Sequence, residues 1–127
     1  MKNTIKSVCA AVLIAVLITA LSGGSPAFAH AFLKKSAPPV GSSVSPAPKF
    51  LLLTFTEDLE VPFCSVQVSD SAGSNDAAGK PQAVPGHPDQ LQIPLNITKP
   101  GKITVTWHAL SVDTHKTEGS FSFIVSP

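Results

Sequence analysis

The sequence predicts an all-β domain, an antiparallel sandwich or partly open Greek-key barrel of about seven short strands. Three observations predict it. Several runs alternate apolar and polar residues with period two. Turn residues separate those runs, and all but one of the 12 prolines lie beyond residue 29. Long helical periodicity, heptads, internal repeats and glycine-rich phosphate loops are missing from the sequence.

Residues 1–29 read as a secretory signal peptide. Lys2 and Lys6 form a basic start, residues 8–21 are an apolar run, and Ala27-Phe28-Ala29 is a small-x-small cleavage site. The run is too short for a membrane span, which needs ~20 residues. Cleavage after Ala29 would leave residues 30–127 as one domain that begins at His30. That length builds one core and not two.

Residues 31–36 are a short first strand. Residues 36–48 carry Pro38, Pro39, Gly41, Pro46 and Pro48, so they form a loop with at most an extended segment. Residues 50–57 are rich in Leu and Phe and read as a strand buried on both faces. Residues 63–70 make the next strand, with Cys64, Val66 and Val68 on one face and Ser65, Gln67 and Ser69 on the other. Asp70-Ser-Ala-Gly73 signals a turn. Residues 74–89 hold Gly79, Pro81, Pro85, Gly86 and Pro88 and read as the least ordered stretch. Residues 90–95 alternate Leu91, Ile93 and Leu95, and Pro94 suggests an edge strand. After the turn at Lys99-Pro100-Gly101, residues 102–110 put Ile103, Val105, Trp107 and Ala109 on one face. The last strand, 120–125, turns Phe121, Phe123 and Val125 inward. A polar link, residues 111–119, joins these two strands and is a natural place for a site.

Composition excludes several functions. The chain has nine Lys, eight acids and no Arg. Loss of Lys2 and Lys6 leaves 7 − 8 = −1 with His neutral. A near-neutral domain lacks the basic footprint of a nucleic-acid binder and the basic clusters that hold a protein to anionic membrane. Tyr is absent and Trp107 is the single Trp, which disfavours aromatic stacking of sugars or bases. Cys9 leaves with the leader, so Cys64 stands alone and reads as a small buried hydrophobe.

The candidate ligands are few. An amino-terminal His30 would offer its α-amine and Nδ1 to one metal, closing a six-membered chelate ring. Imidazole nitrogen suits Cu(II), which heads the affinity order among divalent first-row metals. Cleavage before a His is unremarkable alone. Asp113 and His115 add to it. Spaced i, i+2, they share a face in an extended segment and complete a tetragonal nitrogen/oxygen set. Asp-x-His is common by chance, and a solvated turn is the ordinary explanation. His108 faces away from the Trp107 side and reads as a strand-surface or second-layer residue, and His87 sits in a proline-rich loop and reads as solvated. Glu57, Asp58 and Glu60 are acids at a strand end, one of them a candidate outer ligand.

The start His30-Ala-Phe-Leu-Lys-Lys-Ser-Ala-Pro-Pro, then Leu52-Leu-Thr-Phe-Thr-Glu57, then Thr106-Trp-His-Ala-Leu-Ser-Val-Asp-Thr-His-Lys-Thr-Glu-Gly-Ser-Phe121 resemble the CopC copper-resistance proteins. The resemblance implies an Ig-like or cupredoxin-like Greek-key β-barrel. It implies an exported, periplasmic copper-binding protein with one Cu(II) ion per chain and no catalysis. The implied ligands are His30, through amine and imidazole, with Asp113 and His115; Glu57 matches an acid that some members add. The Met-rich Cu(I) site of one branch has no counterpart, because the only Met is Met1. An inner-membrane CopD-like copper transporter, on a separate chain, is the implied partner. Two other classes compete. A copper mono-oxygenase would also use an amino-terminal His, but the domain is short and has no Tyr. A metal-free Ig-like interaction module would need none of these ligands.

Overall fold

The structure is a computed structural model and describes residues 33–127. Residues 1–29, expected to be a signal peptide, and His30 lie outside the described residues. Eight strands follow in order: β1 (Leu33–Ala37), β2 (Ser43–Val44), β3 (Phe50–Phe55), β4 (Ser65–Ser69), β5 (Gln82–Val84), β6 (His87–Pro94), β7 (Gly101–Leu110) and β8 (Lys116–Val125). A 3-10 turn, Val61–Phe63, precedes β4. Two four-stranded sheets form, one ordered β1-β3-β6-β5 and the other β2-β8-β7-β4. All strand pairs are antiparallel except β2 with β8. Only β5–β6 and β7–β8 are sequential hairpins; the other connections cross between sheets, as a Greek-key sandwich requires. No helix among the described residues is long and apolar enough to cross a membrane.

The period-two pattern explains the core. Leu51, Leu53 and Phe55 of β3 and Leu91 and Ile93 of β6 point inward from one sheet. Val66 and Val68 of β4, Ile103, Val105, Trp107 and Ala109 of β7, and Phe121, Phe123 and Val125 of β8 meet them from the other. Each large side chain so buried contributes about 1.5–3 kcal/mol. Phe55 and Trp107 meet edge to face across the sheets, with centroids 5.3 Å apart and planes at 79°. Cys64, one residue before β4, is buried with Val66 and Val68, as its alternation predicts.

Several expected elements differ. β3 is not buried on both faces: Phe50 is 50% exposed and Leu52 half-buried, because the alternation that turns Leu51 and Leu53 inward turns these two out. β6 is not an edge strand, since it lies between β3 and β5. Pro94 is tolerated because it ends the strand. Its carbonyl accepts from Ala78 N, so its ring nitrogen faces the β5 side, where that ladder has already stopped at Gln92. Residues 74–89 are more regular than expected. Val84 pairs with His87 across a two-residue turn at Pro85-Gly86, with Gly86 at φ 77°, the backbone a Pro-Gly turn needs. β8 begins at Lys116, four residues before the expected start, so the link to β7 shortens to 111–115.

A strap closes one side of the sandwich. Asp70 Oδ1 accepts from the amides of Ala72 and Ser74, both at 2.9 Å, and turns the chain after β4. Asp76 then bridges the sheets through its backbone: its N donates to Val68 O and its O accepts from Asn96 N, each at 2.8 Å. Its side chain is 6% exposed and Oδ2 has no hydrogen-bond partner. Burial, and then the charge of Asp70, holds its carboxyl above the usual carboxylate range. A value raised in the folded state means the protonated form favours the fold. That contribution is complete below the unfolded value of ~3.9 and is lost as pH rises through the folded one. Asp76→Asn, which cannot ionise, should therefore be more stable than the wild type at neutral pH. The difference should close in acid below pH ~4. Urea unfolding at both pH values measures this; an equal difference at both would refute the buried-charge account.

Candidate metal centre

One end of the sandwich gathers the loops that carry the expected ligands. The loop after β3, residues 56–60, is stitched to both sheets. Leu59 N donates to Pro88 O at 2.9 Å, Glu60 N to Leu110 O at 2.9 Å, and Val112 N returns to Asp58 O at 3.0 Å. Leu59 and Ser111 also form an isolated β-bridge. Leu59 is buried here as the apolar anchor, while Asp58 and Glu60 stay exposed. The side-chain alternation of Leu51, Leu53 and Phe55 thus ends in a fixed loop that carries Glu57 as its second residue.

The turn between β7 and β8 faces that loop. Ser111 O accepts from Thr114 N at 2.9 Å, Ser111 N donates to His115 O at 3.0 Å, and Ser111 Oγ accepts from His115 N at 3.2 Å. Residues 111–115 are therefore a closed turn and not the extended segment that would put Asp113 and His115 on one face by alternation. Thr114, between them, has φ 68°. A β-branched residue in this left-handed region is strained by roughly 1–2 kcal/mol.

Two expected residues meet. His115 Nδ1 lies 3.3 Å from Glu57 Oε2, although 58 positions separate them in the chain. The His115 side chain is 66% exposed and that of Glu57 31%. Asp113 is exposed on the same turn. Among the described residues no three His, Cys, Asp or Glu side chains converge as a metal-holding group. The pair is nonetheless a carboxylate and an imidazole, the oxygen and nitrogen donors that suit divalent copper. Leu33, the first described residue, pairs with Phe55, so the chain enters at this same end, two residues from Glu57 along the neighbouring strand.

The other candidates lie elsewhere. His108 is on the outer face of β7, where its Nε2 contacts Glu118 Oε2 at 2.9 Å across the β7–β8 ladder. His87 is exposed but begins β6 and is not part of a loop. Cys64 Sγ is directed at the carbonyls of Glu60 and Leu110, and burial pushes its thiol up, which disfavours a thiolate ligand. Reading the sequence alone missed Ser111, whose three bonds shape the turn; a Ser opening a turn ahead of the Asp-x-His was its signal.

The CopC domain model matches residues 33–126, nearly all of the described chain. The chain belongs to the CopC family. Among relatives in sequence, Protein YobA of Escherichia coli (strain K12) is 34% identical over 113 residues, covering 88% of this chain and 90% of that protein. Copper resistance protein C of Escherichia coli is 32% identical over 106 residues, covering 78% and 83%. The crystal structure of CopC from Methylosinus trichosporium OB3b superposes with a TM-score of 0.70 at 28% identity, over 77% of this chain and 95% of that one. PcoC, a methionine-rich copper resistance protein from Escherichia coli, gives 0.64 at 31% identity, over 75% and 97%. This CopC chain shares the sandwich with PcoC but not that composition, since its one Met is Met1.

The strain at Thr114 has a measurable sign. Asn tolerates the left-handed region better than a β-branched residue, so Thr114→Asn should stabilise the fold by about 1 kcal/mol. Urea unfolding would detect it; a destabilised variant would show that the threonine side chain makes a compensating contact.

Proposed function

We propose that this protein is an exported, periplasmic copper-binding protein that holds one Cu(II) ion for sequestration, resistance or delivery and turns over no substrate. The observation that carries the reading is the Glu57–His115 contact at the end where the chain enters. His30 lies three residues before Leu33, and three residues reach at most ~10 Å. After cleavage its amine and Nδ1 join His115 and Asp113 around the ion. Two imidazoles, an amine and a carboxylate fill the tetragonal plane that Cu(II) prefers. Glu57 holds Nδ1 of His115, which leaves Nε2 to face the metal, the usual division of labour between a ligand and its supporting carboxylate.

The donor set also selects the oxidation state. Cu(I) prefers thioether or thiolate sulfur. Residues 30–127 contain no Met, and Cys64 is buried with its thiol pushed up. A single Cu(II) site follows, without the Cu(I) site of methionine-rich relatives. The relatives' names support copper as cargo. A CopD-like membrane transporter on a separate chain is the partner to which the ion would pass.

Electron paramagnetic resonance of Cu(II) tests the reading on two forms, one beginning at His30 and one with a single extra residue before it. A tetragonal, nitrogen-rich spectrum is expected only from the first. His115→Ala should remove one nitrogen and weaken binding at least about ten-fold. Affinity should fall in acid, because amine and imidazole must lose protons to bind. The same spectrum from both forms would remove the amine from the site.

A further inference from the structure

We infer that Ser111 is the positioning residue of this centre, clasping the His115 backbone on both sides and so fixing where its imidazole meets copper. The inference rests on the copper reading above. The His115 ring is mostly in solvent, and its side-chain contact with Glu57 is long at 3.3 Å. Packing therefore cannot hold it, and its backbone must. Both polar groups of that backbone end on Ser111: His115 N on Oγ at 3.2 Å, and His115 O on the Ser111 amide at 3.0 Å.

Ser111 can serve as an anchor because it is itself immobile. It is 1% exposed, directly follows the last β7 residue, and bridges to Leu59 in the loop that carries Glu57. One residue thus sets the separation between the two loops that bring Glu57 and His115 together. Its carbonyl also accepts from Thr114 N, which keeps the intervening residue in its left-handed conformation. The hydroxyl is the part that a smaller residue would lose. Alanine keeps both backbone bonds but leaves His115 N without that acceptor, so the turn can open towards relaxed φ values. Threonine keeps the hydroxyl and adds a methyl.

A merely structural role would lower stability and leave the copper centre unchanged. The experiment therefore compares Ser111→Ala, Ser111→Thr and a core control, Val68→Ala, in the chain beginning at His30. Two quantities are read: hydrogen exchange of the His115 amide without metal, and Cu(II) affinity with its paramagnetic spectrum. Ser111→Ala should speed that exchange at least about ten-fold and weaken Cu(II) by about the same factor. Ser111→Thr should recover both. Val68→Ala should lower the unfolding midpoint and leave affinity and spectrum unchanged. If Ser111→Ala does not fold, exchange in the unaltered protein decides: a His115 amide protected well beyond the Asp113 amide of the same turn supports the clasp, and equal exchange of the two overturns it. Unchanged exchange in the alanine variant overturns the clasp. Faster exchange with unchanged affinity, while His115→Ala does weaken copper, overturns the positioning role. If His115→Ala leaves copper binding unchanged, the copper reading fails by itself, and exchange alone then decides whether Ser111 holds the turn.

Discussion

The β7–β8 ladder is the constraint from which most of the molecule follows. Its ten paired positions run from Gly101 opposite Val125 to Leu110 opposite Lys116 without a slip. A one-residue shift would turn Ile103, Val105, Trp107, Phe121 and Phe123 outward, so burial of that face locks the register. β4 and β2 add to its two edges, and the second sheet packs on its inner face. The same register decides how many residues remain for the turn at its end. Five are left, 111–115, and they close on Ser111.

Burial patterning made the ladder legible in the sequence. Ile103, Val105, Trp107 and Ala109 alternate without interruption, and so do Phe121, Phe123 and Val125. The weaker strands were harder to read. β5 is three residues long and has no buried side chain, so it carries no apolar signal. The first half of β8 alternates between exposed and half-buried positions and looks like a polar loop. Pro94 misleads because its position within the strand, and not its presence, decides whether a neighbour can pair.

The candidate centre was legible in residue type but not in arrangement. Glu57 and His115 stand out as an acid closing an apolar strand and a His in a polar link. Their contact depends on a loop stitched through Leu59, Glu60 and Val112, and backbone bonds of that kind leave little trace in a sequence. The i, i+2 spacing of Asp113 and His115 suggested an extended segment within the link. The hydrogen bonds of Ser111 made a turn, because local side-chain to backbone bonds compete with extended pairing. CopC-family membership and the sandwich topology agree with what the motif suggested.

The stitched loops also carry charge. Glu57, Asp58 and Glu60 lie on one and Asp113 on the other, and Val112 N to Asp58 O joins the two. At this end the four carboxylates stand against Lys34 and Lys35, next to Leu33, and Lys116, next to His115, which leaves more negative than positive charge on it although the molecule as a whole has little net charge. A divalent cation diffusing nearby is drawn towards that end before it touches any ligand, so encounter is faster than random collision. The effect acts on the association rate, and it weakens as ionic strength shortens the Debye length towards ~8 Å. How quickly such a centre fills and how tightly it holds are thus set by different residues.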